Sequence, residues 1–177
     1  MVIAKKHRDP LPDADSLTAE LRTALDQARD FEDMLEISRR WTHDREFQIG
    51  VQMLRGDGEA DRLGATLADL ADAVLRALMP RVEDSFAEIH GRVAGAGLAV
   101  VGLGNLGGRE MTISSDLDLT FIYNMPTNSA PSDGPKPLPT PHYFTRLRHP
   151  LLNTPTALPC DARTHEADLR HPPTAND

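Results

Sequence analysis

Apolar side chains in the first half of the chain recur every three or four residues. Leu17, Leu21, Leu25, Ala28, Phe31 and Leu35 form one stripe of an amphipathic helix, continued less regularly by Ile37, Trp41, Phe47, Val51 and Leu54. Asp15 or Ser16 stands where an N-cap is expected. Arg55-Gly56-Asp57-Gly58 breaks the pattern, and a second stripe runs Leu63, Leu67, Leu70, Val74, Leu78, Val82, Phe86, Ile89, Val93. The spacing predicts two long antiparallel helices, with Pro80 kinking the second or splitting it. Met34, Met53 and Met79 lie on or near the stripes and read as core filler. The Arg-Gly-Asp tripeptide reads as a helix-connecting turn rather than an adhesion ligand.

The period changes at residue 97. Gly97-Leu-Ala-Val-Val-Gly-Leu-Gly104 is a short apolar run closed by glycine, the pattern of a buried strand entering a tight turn. Ser114 to Tyr123 reads as a second strand, with Asp116, Asp118 and Thr120 on one face and Leu117, Leu119 and Phe121 on the other. Two carboxylates about 7 Å apart on a partly buried strand repel one another, so a cation is wanted there. Mg²⁺ suits the position, because it is commonly held by one or two carboxylates plus substrate phosphates. A solvent-facing sheet edge would accommodate the same acids without a partner. Gly102-Leu-Gly104-Asn-Leu-Gly107 also matches the dinucleotide-binding fingerprint. Only eight residues separate Gly107 from Asp116, too few for the helix which that fingerprint requires, and the acids open their strand instead of closing it.

Charge and proline divide the 177 residues further. The net charge of −8 lies entirely in residues 1–125, because residues 126–177 carry five acids and five bases, while the same tail holds 11 of the 14 prolines. The organisation expected is a helical region over 1–95 and a small sheet-bearing core over 96–177, with a proline-rich irregular segment at about 126–141. Residues 126–140 and 171–177 are expected to be mobile. A net negative chain argues against a broad electrostatic grip on nucleic acid or on an anionic membrane. A single cysteine, Cys160, excludes a disulfide framework, and the first residues lack a secretory apolar segment, so a cytoplasmic protein is expected. His142, His149, His165 and His171 have no metal-ligand spacing.

A glycine turn that brings backbone N–H groups to phosphate, followed by a strand that presents Asp-x-Asp to a metal, unites both features. The stretch from Val100 to Tyr123 resembles the nucleotidyltransferase (DNA polymerase β-like) superfamily, with Gly104-Asn105 as the leading pair and Asp116-Leu-Asp118 following after residues 106–115. More narrowly, Gly107-Gly-Arg-Glu-Met111 followed by Ser115-Asp-Leu-Asp-Leu119 is similar to the glutamine synthetase adenylyltransferase/adenylyl-removing family. Residues 31–56 resemble the helical lead-in to that family's second, adenylylating half, Tyr143 to Leu147 falls where the family has a helix, and His165 to Arg170 resembles its Tyr-Glu-Val-Asp-x-Arg strand. The chain departs from the family at Asn105, where lysine is common, at the segment starting Pro155, and beyond Arg170.

The resemblance implies an α+β fold, in which long N-terminal helices pack with a small, C-terminally truncated nucleotidyltransferase-type mixed sheet. It implies two Mg²⁺ ions held by Asp116, Asp118 and Asp168, with Glu166 as the fallback third acid. ATP would be the substrate, contacted at its phosphates by Gly104, Asn105, Gly107, Gly108, Ser115 and Arg109. AMP would pass to a tyrosine hydroxyl of glutamine synthetase, or be removed phosphorolytically, with that enzyme and a PII signalling protein as partners. The alternative is a catalytically silent module that docks on either partner. Asp168 is expected within about 8 Å of the other two carboxylates, on a 164–170 strand beside Asp118, if the two-metal geometry is kept.

Overall fold

The computed structural model describes residues 13–55, 60–125, 129–152 and 160–167, and the side chains of Ala60, of 151–152 and of 160–167 are not part of the description. Helix α1 spans Ala14–Leu25, and its N-cap is Asp13, whose carboxylate accepts from Ser16 N at 2.8 Å. Asp15 and Ser16, the caps expected from the pattern, lie inside the first turn. The first stripe is two helices rather than one. It breaks after Leu25 and restarts as α2, Phe31–Arg55, where Asp30 accepts from Asp33 N at 2.8 Å and the Asp33 carboxylate accepts from Arg29 N at 3.1 Å. An aspartate followed three residues later by an acid satisfies orphan N–H groups at a helix start, and this local bonding prevails over the uninterrupted apolar spacing.

Helix α3, Ala60–His90, runs through Pro80 without a break. Leu78 and Val82 flank the proline and are each 1% exposed, so burial of the stripe on both sides offsets the interior proline's cost of about 3 kcal/mol. Beyond α3 come strand β1 (Gly97–Gly102), the short helix α4 (Gly104–Gly108), strand β2 (Leu117–Asn124), helix α5 (Thr140–Leu152) and strand β3 (Cys160–Ala167). The architecture is α+β, as expected. The sheet is mixed, in the order β1-β2-β3, with β1 antiparallel to β2 and β3 parallel to it.

Leu117, Leu119, Phe121 and Tyr123 are buried, as strand alternation predicts, and join one core with Leu21, Leu25, Leu67, Leu70, Val74, Leu78 and Val82 of the helices. Helix α5 closes the core with aromatic contacts: Tyr123 stacks on Phe144 with centroids 4.7 Å apart, and Tyr143 meets Phe86 edge-on at 5.0 Å. The described part of the proline-rich segment, 129–139, has no regular structure, yet it is fastened to the end of α3, contrary to the mobility expected of it. Asp133 N donates to Arg92 O (3.2 Å), Gly134 N to His90 O (3.1 Å) and Lys136 N to Ile89 O (2.9 Å), while Arg92 N donates to the Asp133 carboxylate (2.7 Å). Gly91, at φ +72°, permits the approach, since a β-carbon built there or at Gly134 would collide with the opposing backbone. Residues 126–128 and 168–177 lie outside the described residues.

Candidate functional site

The site forms where β1 hands over to α4. Leu103 N donates to Asp118 O at 2.9 Å, extending the β1–β2 ladder by one bond past Gly102 and laying the glycine turn along the start of β2. Gly104 therefore sits against the Asp118 side chain. Its φ is +52°, and a β-carbon built on it would collide with Asp118 Oδ2. Asp118 is half-buried, whereas Asp116 is exposed and precedes the first strand residue, Leu117. The strand is thus shorter than the sequence pattern implies, and Asp116 belongs to the turn that leads into it. Both carboxylates and the glycine turn lie at one end of β2.

The other candidates divide by what already holds them. Ser115 is 6% exposed, and its hydroxyl accepts from Thr112 N (2.9 Å) and from Asn105 Nδ2 (3.2 Å), with Thr112 Oγ1 also 2.9 Å away. Ser115 and Asn105 therefore tie α4 to the turn before β2. Arg109 adopts the left-handed conformation (φ 59°) at the C-cap of α4, and its guanidinium reaches back to α3, 2.8 Å from the Asp69 carboxylate. Gly107 packs on Gly102, where a β-carbon would come within 2.7 Å of the carbonyl oxygen, so it serves close packing of turn on strand. Gly108 is exposed beside Glu110, and Gly104 and Asn105 are exposed at the turn's surface.

Asp168 lies outside the described residues. β3 is in register with β2 from Leu117↔Cys160 to Asn124↔Ala167, so the residue opposite Asp118 is Asp161 and Glu166 stands opposite Tyr123. The described strand thus begins earlier than the expected 164–170 segment. It ends opposite Asn124, six residues beyond Asp118 and about 20 Å along the strand. Among the described residues, no group of three or more His, Cys, Asp or Glu side chains gathers as a metal cage. Asp116 and Asp118 supply hard oxygen donors, which fit Mg²⁺ that completes its shell with phosphate oxygens and water but do not fit an all-protein cage.

The glutamate-ammonia ligase adenylyltransferase model matches residues 2–177. The chain belongs to this family. Among curated members it is similar to the bifunctional glutamine synthetase adenylyltransferase/adenylyl-removing enzymes of Xanthobacter autotrophicus, 42% identical over 167 residues, and Mesorhizobium japonicum, 37% over 166 residues. In both comparisons 94% of this chain is covered against 17% of the relative, so the chain spans about one-sixth of their length. The glycine turn and Asp-x-Asp strand that carried the family resemblance are the elements that the fold brings together. No described helix is long and apolar enough to cross a membrane.

Three contributors to this arrangement escape a reading based on chemistry-bearing motifs. Asp69 anchors Arg109, Thr112 cradles Ser115, and Gly64 lets the 109–111 segment press on α3, where a β-carbon would come within 3.0 Å of Met111 O. A lone glycine inside a helical stripe is a signal of close backbone approach, so Gly64 was detectable. Thr112 is a local partner three residues from Ser115, whereas Asp69 became visible only when elements distant in sequence met.

Proposed function

We propose that the Gly104 turn and the Asp116/Asp118 pair bind ATP with Mg²⁺, and that the chain contributes to transfer of AMP to a tyrosine hydroxyl of glutamine synthetase or to its phosphorolytic removal. The observation that carries this reading is the contact of Gly104 with Asp118, which places a backbone turn and a metal-type carboxylate pair on one edge. Mg²⁺ bound there supplies positive charge to the phosphates. Asp118, fixed by the β1–β2 ladder and half-buried, orients the site, and exposed Asp116 completes the oxygen donor pair. Ser115 and Asn105 hold the turn in shape, so that its backbone meets the phosphates. Arg109 stiffens the C-terminal end of α4 through Asp69. Asp168 directly follows a strand that ends about 20 Å beyond Asp118, so the proposed site comprises the Asp116/Asp118 pair and does not draw its third carboxylate from that position. The similarity of residues 31–56 to the adenylylating half supports addition as the direction, and a PII signalling protein is proposed as a second partner. A cytoplasmic location follows from that role.

The engagement of Arg109, Asn105 and Ser115 with protein partners favours one other reading, a module that docks on glutamine synthetase without chemistry of its own. The two are separated by titrating the chain with ATP in the presence and absence of Mg²⁺, then incubating it with α-labelled ATP, Mg²⁺ and glutamine synthetase. Mg²⁺-dependent binding that Asp118→Asn abolishes supports the nucleotide site, and label on glutamine synthetase supports transfer. Absence of Mg²⁺-dependent binding leaves the docking module.

A further inference from the structure

A groove lies between α2 and the loop that precedes β2. Gly50, Val51, Met53 and Leu54 of α2 and Ile113 of the loop border this groove of about 470 Å³, with His43, Glu46 and Phe47 at its α2 wall. Its apolar rim faces solvent: Phe47 is 55%, Leu54 91% and Ile113 51% exposed. These residues share one depression, unlike single apolar side chains scattered over a surface. The wall also contains a group that an empty apolar groove does not explain. Glu46 is only 9% exposed, and its Oε1 is buried with no hydrogen-bond partner among the described residues. A buried carboxylate oxygen without a donor is costly, and the cost is relieved by a charged donor brought in from outside.

We propose that this groove docks a segment of a partner protein in which a lysine or arginine is flanked by bulky aliphatic side chains. The aliphatic groups cover Phe47, Leu54 and Ile113, and the cation bonds to Glu46. The negative charge of this chain, −8 overall, favours approach of a basic segment and disfavours an acidic one. Ile113 stands two residues before Ser115 and three before Asp116, so an occupant touches the loop that presents the carboxylate pair. The proposal rests on the groove alone and does not require that the nucleotide site be active.

The test is selection of a random heptapeptide library on the full chain, with measured affinities for the enriched peptides. The expected result is a consensus of one basic residue among aliphatic ones, weakened about tenfold by Glu46→Gln through loss of the charge-assisted bond and also weakened by Leu54→Ser. Leu54 is almost wholly exposed, so its replacement reads out docking without disturbing the core. No consensus, or a consensus lacking a basic residue, overturns the proposal. So does concentration-dependent self-association lost in Leu54→Ser, which would assign the groove to a second copy. Peptide binding that appears only after residues 1–12 are deleted would assign it to this chain's own basic N-terminal segment and would likewise overturn it.

Discussion

Gly104 answers two demands at once, a positive φ and the absence of a β-carbon against Asp118. Gly104→Ala should cost about 1–2 kcal/mol from the left-handed conformation alone and displace the Asp118 carboxylate. The expected outcome is a lowered Tm together with lost Mg²⁺-dependent ATP binding; unchanged binding would separate the turn from the site. Glu46 has a different signature. Burial raises its carboxyl above the ordinary 4.5, with nearby His43 opposing the shift. The folded state therefore keeps this proton to higher pH than the unfolded chain does. The stabilising effect is complete below 4.5 and is lost as pH rises from 4.5 through the raised value. Replacing the carboxylate by an amide removes that slope, so Glu46→Gln should unfold at higher denaturant than the parent chain at pH 7, by about 1 kcal/mol. The difference should shrink toward pH 4, and denaturation midpoints at the two pH values check it.

Elements in this chain end where side chains compete for the backbone, not where the apolar stripe ends. Leu25, Ala28 and Phe31 keep helical spacing across a break that Asp30 and Asp33 create by bonding N–H groups, and the motif Asp30-Phe-Glu-Asp33 was legible as a cap. Pro80 is the converse, a breaker signal overridden because the helix buries residues on both sides of it. The clasp between α3 and the 129–139 segment was hidden from any local reading, since prolines predict irregularity but say nothing about attachment. That clasp extends to α5 through Tyr143, whose hydroxyl donates to Gly91 O at 3.1 Å. Removing the donor leaves a buried carbonyl short of a partner. Tyr143→Phe should lose about 1–2 kcal/mol of stability and increase hydrogen exchange at Gly134 and Lys136, with little effect on ATP binding.

At the scale of the molecule, the antiparallel pairing of β1 with β2 and the five-residue α4 between them exclude the dinucleotide fold, which requires a parallel β-α-β crossover with a full helix. No binding of NADH should therefore appear in a fluorescence titration at micromolar concentrations, and saturable binding there would contradict the topology. The period of 3.6, the period of 2 and the point where one replaces the other were written in the chain, because each side chain's burial depends on its place in a local repeat. Those periods gave the helical region, strands β1 and β2, the inward row Leu117, Leu119, Phe121, Tyr123 and the pairing of a glycine turn with Asp116 and Asp118. Tertiary structure alone decided which candidates are held by the protein itself. Arg109 meets Asp69 from forty residues away, Asn105 on α4 bonds to Ser115 before β2, and Asp161 rather than Glu166 comes into register with Asp118. Such partners depend on the register between strands and on how closely a helix approaches a loop. Those quantities are set by the summed packing of the core, which no local window of sequence contains.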